Sequence, residues 1–444
     1  MIKQLTNLRR IGRIKWLSVL LAIAGGLLFV GVSIIPAIAQ TQGDLTIDFA
    51  ATQPGVQSMS GFLYGVEQEE PPDHLIEPLQ PRLWRTSRLN LYRRLTGFGA
   101  TFQLLLSDTW GYGRPRGWPY DDYTRWENHV RNLAREHKGK KMLWDIWNEP
   151  DLRDPFWHGT RQQFFETYKR AYRVLREELG SDVIIGGPSI TKYDKGFLRA
   201  FLNYCRDNNL EVNSLSWHEL NDQTINAIAP HIRDANQSFR QNPAYRSLRI
   251  QRLDVNEIIG PTAQYRPAEN LAYLYYTEQG GASAAAKACW EPKGGGPNNC
   301  FNKSLDGLVQ PGPFAPRAVW WVYKAYSDGF STRVRTQGNN PRVIGLASQS
   351  NGQNQAQVLF GYFEQGPSAR QATVTLTLRN LQQLGLGQPG QPLNLTISRI
   401  PDSGEAVVKD LAIVKREQIT VTNQIVRLTV PNIRIHEAYI LTIG

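Results

Sequence analysis

The chain has 444 residues, 41% of them hydrophobic, with 12 Trp and 18 Tyr and a formal net charge of +11. That length excludes a single small domain and leaves one large barrel or two domains around a sizeable core. Five of the charges (Lys3, Arg9, Arg10, Arg13 and Lys15) precede residue 17, so the rest carries +6, a modest excess with no nucleic-acid motif beside it.

Residues 1–39 read as a targeting segment. A basic start leads into the apolar run WLSVLLAIAGGLLFVGVSII (16–35), followed by Ala37-Ile38-Ala39. The small-x-small tripeptide fits cleavage of a secretory signal, while the run is long enough to span a bilayer as an anchor. Both readings stay open, and both put the remainder outside the cytoplasm: secreted, periplasmic or membrane-anchored. Residues 40–59 form a polar lead-in that includes a strand at 43–50.

From residue 60 extended and helical patterns alternate. Strands are predicted at 60–66, 81–87, 100–108, 141–149, 182–190, 212–220, 248–258 and 282–290. Apolar residues at helical spacing fall between most of them, as in RQQFFETYKRAYRVLREEL. The strands are apolar almost throughout, as when both faces are buried. The pattern predicts an α/β fold with a (β/α)8 TIM barrel over 60–330. After 331 helical spacing gives way to short alternating runs such as ATVTLTL and LNLTISRI, which predict a C-terminal antiparallel β-sandwich over 331–444. The strand at 43–50 is a candidate to complete it.

Cys289 and Cys300 bracket the glycine-rich EPKGGGPNN. The spacing leaves open a loop-closing disulfide or two free thiols. Cys205 reads as a buried helix thiol.

Active sites of such barrels lie at the carboxyl ends of the strands. Those ends offer Arg85, Ser87, Asp108, Trp110, Asn148, Glu149, His218, Glu219, Asn256, Glu257 and Trp290. Strands four and seven share one layout, an Asn-Glu pair closing an apolar run. Two carboxylates flanking one bond are the equipment of glycoside hydrolysis, one protonating the leaving oxygen and the other attacking carbon or activating water. Their protonation states must differ at one pH, which desolvation of one and an arginine beside the other can arrange. Trp144, Trp147 and Phe156 are available around Glu149, and Arg85 for Glu257. This chemistry needs no metal or organic cofactor. His218-Glu219 does not extend to a zinc-protease helix motif, because Asp222 stands where the second histidine belongs. GYGRPRG (111–117) does not resemble a nucleotide fingerprint.

The segment WNEPDLRDPFW resembles the acid/base motif of clan A glycoside hydrolases and is most similar to family 39, the family of β-xylosidases and α-L-iduronidases. IIGGPSI and FLRAFLNYCRDNNLEVNSLSWHEL resemble that family's strand-five and strand-six segments in order. The likeness covers roughly 80–330, and the C-terminal sandwich is similar to the family's accessory domain. The resemblance implies Glu149 as acid/base, Asn148 as its neighbour on the sugar 2-hydroxyl, and Glu257 as nucleophile. It also implies sugar-site roles for Arg85, His218 and Trp290. Trp110, Trp157 and Asn256 are further candidates for contact with substrate. The chain departs from the family at Ser87, where histidine is usual, and at Leu220, where an aromatic residue is usual.

The expectation is therefore an exported retaining glycosidase whose partner is a poly- or oligosaccharide. Nucleic acid is not expected as a partner, and a membrane only through the N-terminal segment. The rival is a non-catalytic cell-surface carbohydrate-binding protein. A membrane-anchored assembly factor for exported polysaccharide is a third reading. Duller readings exist for each residue: Glu149 as a helix N-terminal acid, Glu257 and Arg85 as rim ion pairs, His218 as structural, and the tryptophans as core.

Overall fold

A computed structural model describes residues 41–444, except 55, 114, 330–331, 350–354, 364–369 and 422–423. The predicted targeting segment lies outside the described residues. Among the described residues no helix is long and apolar enough to cross a membrane.

Eight parallel strands close into a barrel: β2 (Gly61–Leu63), β3 (Leu83–Thr86), β4 (Thr101–Leu105), β5 (Met142–Asp145), β6 (Ile184–Ile190), β7 (Ser214–Glu219), β8 (Arg252–Ile258) and β9 (Ala284–Lys287). Phe62 pairs with Lys287 across the seam. Gly61 is needed there, because a Cβ would meet the Ala285 carbonyl oxygen at 2.0 Å. β-branched and large apolar residues fill both faces of the strands, while a minority of polar residues point inward.

The outer ring is built from α1 (Tyr92–Gly97), α2 (Leu106–Trp110), α3 (Tyr123–Glu136), α4 (Arg161–Leu179), α5 (Lys195–Asp207), α6 (Ile228–Ala235), α7 (Pro267–Gly280) and α8 (Ala318–Asp328). Local chemistry starts the longer ones. Thr160 and Gln163 form a reciprocal capping box on α4, and Asp194 accepts two backbone N–H groups at the start of α5. The apolar stripe of α4 (Phe164, Tyr168, Ala171, Leu175) is buried on the barrel, each large side chain contributing about 1.5–3 kcal/mol.

Most barrel strands are shorter than predicted; the fourth, expected over 141–149, ends at Asp145, so Asn148 and Glu149 lie in the loop beyond it. The third strand stops at Leu105, and Leu106–Trp110 turns into α2, so Asp108 leaves the sheet. The helix after β7 went unpredicted, since α6 spans only eight residues and contains Pro230.

Besides the short hairpin of β10 (Val309–Gln310) and β11 (Ala315–Pro316), the described strands outside the barrel form a nine-stranded sheet, ordered β17-β16-β19-β14-β13-β12-β1-β15-β18. Its strands are β1 (Thr41–Thr52), β12 (Arg333–Gly338), β13 (Val343–Gln349), β14 (Ala356–Tyr362), β15 (Gln371–Arg379), β16 (Pro392–Ile400), β17 (Ala412–Thr420), β18 (Ile425–Arg434) and β19 (Ala438–Ile443). All pairings are antiparallel except β1 with β15. Strands from both ends supply one apolar core, with Leu393 and Leu395 beside Leu376, Leu428 and Phe360. The sheet thus folds over itself as a sandwich. It sits on α7 and α8, where Arg333 meets the buried Glu278 at 3.0 Å and Ala268 donates to the His436 carbonyl.

Candidate active site

The inward-facing polar residues of the barrel converge near its carboxyl end. Asp145 and Arg85 are fully buried there. Arg85 donates from Nε to Asp145 Oδ2 (2.9 Å), from Nη1 to Glu257 Oε1 (2.6 Å) and from Nη2 to Asn148 Oδ1 (2.9 Å). Asp145 Oδ2 also accepts from Gln103 and Asn256, each at 3.0 Å, and Oδ1 accepts from Ser189 at 2.7 Å. One guanidinium is thereby fixed from β5, the loop that follows it and β8, each of its nitrogens committed.

Glu149 and Glu257 sit on this base, 7% and 9% exposed. Glu149 adopts a left-handed backbone (φ 48°), unusual for a side chain with a Cβ, and its N–H is held by the Ser189 carbonyl at 2.9 Å. Its Oε1 lies 2.8 Å from His218 Nδ1, which is also 3.8 Å from Glu257 Oε2. The three side chains offer ligand-type atoms that all lie within 4.8 Å of one another. They are also a group that could hold a cation, but Arg85 already neutralises Glu257 and His218 Nδ1 is committed to Glu149.

The electrostatics are asymmetric. Burial pushes the Glu149 carboxyl up to about 7, against the pull of Arg85, with Asp151 adding to the rise. Burial also raises Glu257, opposed by His218 and by Arg85 in direct contact. Burial pushes His218 down to about 4, so the imidazole is neutral near pH 7. Its Nε2 has no partner among the described residues, which favours the tautomer with the proton on Nδ1 directed at Glu149.

The sequence candidates separate on this geometry. Arg85, Asn148, Glu149, His218 and Glu257 come together. Asn256 is fully buried below them, its amide bonded to Asp145 and Ser189 (2.9 Å), out of reach of a substrate. Trp110 and Trp157 are each 3% exposed and offer no open ring face. Their indole N–H groups are tied to the Gly117 and Thr160 carbonyls, and their rings pack edge-on against Trp126 and Trp147. Trp290 stays partly exposed, anchored by a 2.9 Å bond to the Ile259 carbonyl. Of the residues expected to desolvate Glu149, Trp147 and Phe156 belong to an aromatic wall with Tyr112. Trp144 does not, because strand alternation turns it away from the barrel interior that Asp145 faces.

Four residues, in two groups, went unnoticed in the sequence: Asp145, Gln103, Tyr64 and Tyr112. Asp145 and Gln103 form the base just described. Tyr64 and Tyr112 both hold Asp108 through their hydroxyls, Tyr64 at 2.5 Å, and Tyr64 also meets Ser87 Oγ at 2.8 Å. A charged or amide residue within an otherwise apolar strand was the available signal, since a buried ion must have partners.

Residues 117–254 match the family model for glycosyl hydrolases family 39. A β-xylosidase of Caldicellulosiruptor saccharolyticus is 28% identical over 108 residues, which is 23% of this chain and 22% of that protein's length. Among solved structures, a protein of Neocallimastix frontalis superposes with a TM-score of 0.74 at 20% identity, covering 91% of this chain and 100% of that one. A family 39 enzyme of Xanthomonas axonopodis pv. citri gives 0.64 at 14% identity, covering 93% and 100%. These likenesses carry the barrel and β-domain as a shared fold.

Proposed function

We infer, from the premise that this chain is a clan A glycoside hydrolase of the family 39 type, that it is an exported enzyme cleaving β-linked glycosides with retention of configuration. β-Xylosides are the first substrates to test, since the curated relative is a β-xylosidase. Other β-pentosides and β-hexosides follow. The Cys289–Cys300 disulfide supports export, because such bonds persist in oxidising compartments.

What carries the reading is the unlike surroundings of two neighbouring carboxylates. With one negative charge between them, the charge resides on Glu257, which Arg85 touches, and the proton on Glu149, which Arg85 does not touch. Glu257 then attacks the anomeric carbon while Glu149 gives its proton to the leaving oxygen. A glycosyl-enzyme ester forms and the aglycone departs as an alcohol. Glu149, now ionised, takes a proton from water, which attacks the same carbon and frees Glu257. Oxygens of the two carboxylates within 4.8 Å support this over inversion, which needs carboxyls ~6.5–9.5 Å apart to admit water. Asn148 has its oxygen held by Arg85, which leaves its NH2, without a partner among the described residues, to donate to a sugar hydroxyl. A non-catalytic binding protein would have no use for this division of charge.

The test is hydrolysis of a panel of aryl β- and α-glycosides, with the first-formed anomer read by proton NMR. Turnover of a β-glycoside releasing the β-anomer first is expected. The α-anomer first would rule out retention, and no turnover with intact polysaccharide binding would favour the rival role.

Two pH effects follow from Glu149. Its proton must be present in the free enzyme, so kcat/KM is expected to fall as pH rises through about 7, and Glu149→Gln should abolish that limb. Stability should move in the same sense. A carboxyl raised from 4.5 to about 7 in the folded state contributes fully below 4.5, and that contribution is lost as pH rises through about 7. At pH 8 Glu149→Gln is therefore expected to be more stable than the wild type by roughly 2–3 kcal/mol, measured by urea unfolding. Equal or lower stability of the variant at pH 8 would contradict the burial of an ionised Glu149.

A further inference from the structure

One disulfide joins the bases of two aromatic residues. Cys289, just before Trp290, is bonded to Cys300, just before Phe301, with the Cα atoms 5.1 Å apart. The loop is then sewn to the turn just past the first barrel strand: the Gly65 N–H donates to the Cys300 carbonyl at 3.0 Å, and the Leu305 N–H donates to the Gly65 carbonyl at 2.9 Å. Both cysteines pack with Leu63, Tyr64 and Leu105 in a small apolar cluster. Phe301 itself is nonetheless 56% exposed, the one aromatic ring among the exposed large hydrophobic residues described.

The ring has a defined seat. It lies 5.4 Å from the Tyr64 ring at 56°, with the Arg88 guanidinium 5.6 Å from its centroid. Tyr64 carries its hydroxyl to Asp108 and Ser87, and the charge of Asp108 acts on both Arg85 and Glu257. Tyr64 and then Asp108 thus stand between Phe301 and the Arg85–Glu257 pair. The charged residues beside it are paired, Arg88 with Glu67 and Lys303 with Glu70, and form a polar rim around an apolar ring.

An exposed ring held by a disulfide and backbone bonds loses little freedom when it meets a ligand. An aromatic face bordered by hydrogen-bonding groups suits a sugar, whose C–H face is apolar and whose edge is hydroxylated. We propose that Phe301 is a stacking platform for the sugar next to the one held over Glu257, on the non-leaving side of the cut bond. Trp290 and Phe301 then form two successive platforms yoked by Cys289–Cys300, and the enzyme prefers oligosaccharides to single sugars. This rests on the glycosidase reading above.

The test compares kcat/KM of the full-length protein on paired aryl glycosides: β-xyloside with β-xylobioside, and β-glucoside with β-cellobioside. In the wild type the disaccharide glycoside of the active pair is expected to be favoured. Phe301→Ala and Phe301→Leu should each lower the disaccharide-to-monosaccharide ratio about tenfold, and Phe301→Trp should retain it. Leucine keeps an apolar side chain at this position and lacks only the ring, and melting curves check that each variant folds. A ratio unchanged in the leucine variant, with the wild type active, overturns the platform and leaves the glycosidase reading standing. If the wider panel above identifies a different sugar, the pair is made from that sugar, and a wild type inactive across the whole panel overturns both.

Discussion

Glu257→Ala is expected to lower kcat on an activated aryl β-glycoside by about 10⁴–10⁶-fold, the scale on which enzymes fail when a covalent nucleophile is removed. Glu257 is the carboxylate that Arg85 holds at 2.6 Å, aligned by a guanidinium whose other nitrogens are fixed by Asp145 and Asn148. No neighbouring group can replace it. Glu149 is bonded to His218, and Asp145 is fully buried in its own network. The missing side chain leaves a space that a small anion can enter. Azide should restore part of the rate and yield a glycosyl azide with inverted configuration, because it attacks from the side Glu257 occupied. Glu149 is intact in this variant and can still assist departure of the leaving group. Loss of less than about tenfold, or rescue giving the retained product, would remove Glu257 from the nucleophile's role.

The second large effect is on stability. Asp145→Ala is expected to cost about 3–5 kcal/mol, read from denaturant unfolding at neutral pH, since truncating one partner strands a buried charge. Asp145 is the chief counter-charge of Arg85, which has no exposure to water, and it also satisfies Gln103, Ser189 and Asn256. Without it three further buried donors lose their acceptor. Asp145→Asn preserves the shape and two acceptor lone pairs, so its loss should be smaller. Arg85→Met combined with Asp145→Ala should recover part of the stability, because the fully buried guanidinium is no longer left without Asp145, and only the slightly exposed Glu257 loses a counter-charge. Activity should not return, as Glu257 would still lack its guanidinium. Unchanged stability of Asp145→Ala would mean that water reaches Arg85 and the base of the site is not closed.

The two readings of this chain divide along the range of the interactions concerned. Glu149 was legible because its signal is local: an apolar run ending in Asn-Glu-Pro among tryptophans. Arg85, His218 and Glu257 were legible as strand-end residues, which needed only the period of the barrel. Asp145 lies in the same quoted run as Glu149 and was passed over. Its meaning depends on Arg85, Gln103 and Asn256 meeting it at one level inside the barrel, and they come from three other strands. Trp110 and Trp157 looked like sugar platforms by type and position, yet their exposure is set by how Trp126 and Trp147 pack around them. Phe301 gave no signal at all. It sits in a long loop whose course is decided by a disulfide and by backbone bonds to Gly65.

Strand and helix periods, the turn from barrel to sandwich and the Asn-Glu-Pro motif were determined by the sequence itself, because each rests on residues two to four positions apart or on one short segment. Glu149 and Glu257 are 108 residues apart in the chain. The approach of their carboxylate oxygens to within 4.8 Å, the burial that lifts Glu149, and the contact of Arg85 with Glu257 were decided only by closure of the barrel. Those properties depend on what lies across the barrel and on how much water is excluded, and neither is encoded in local spacing.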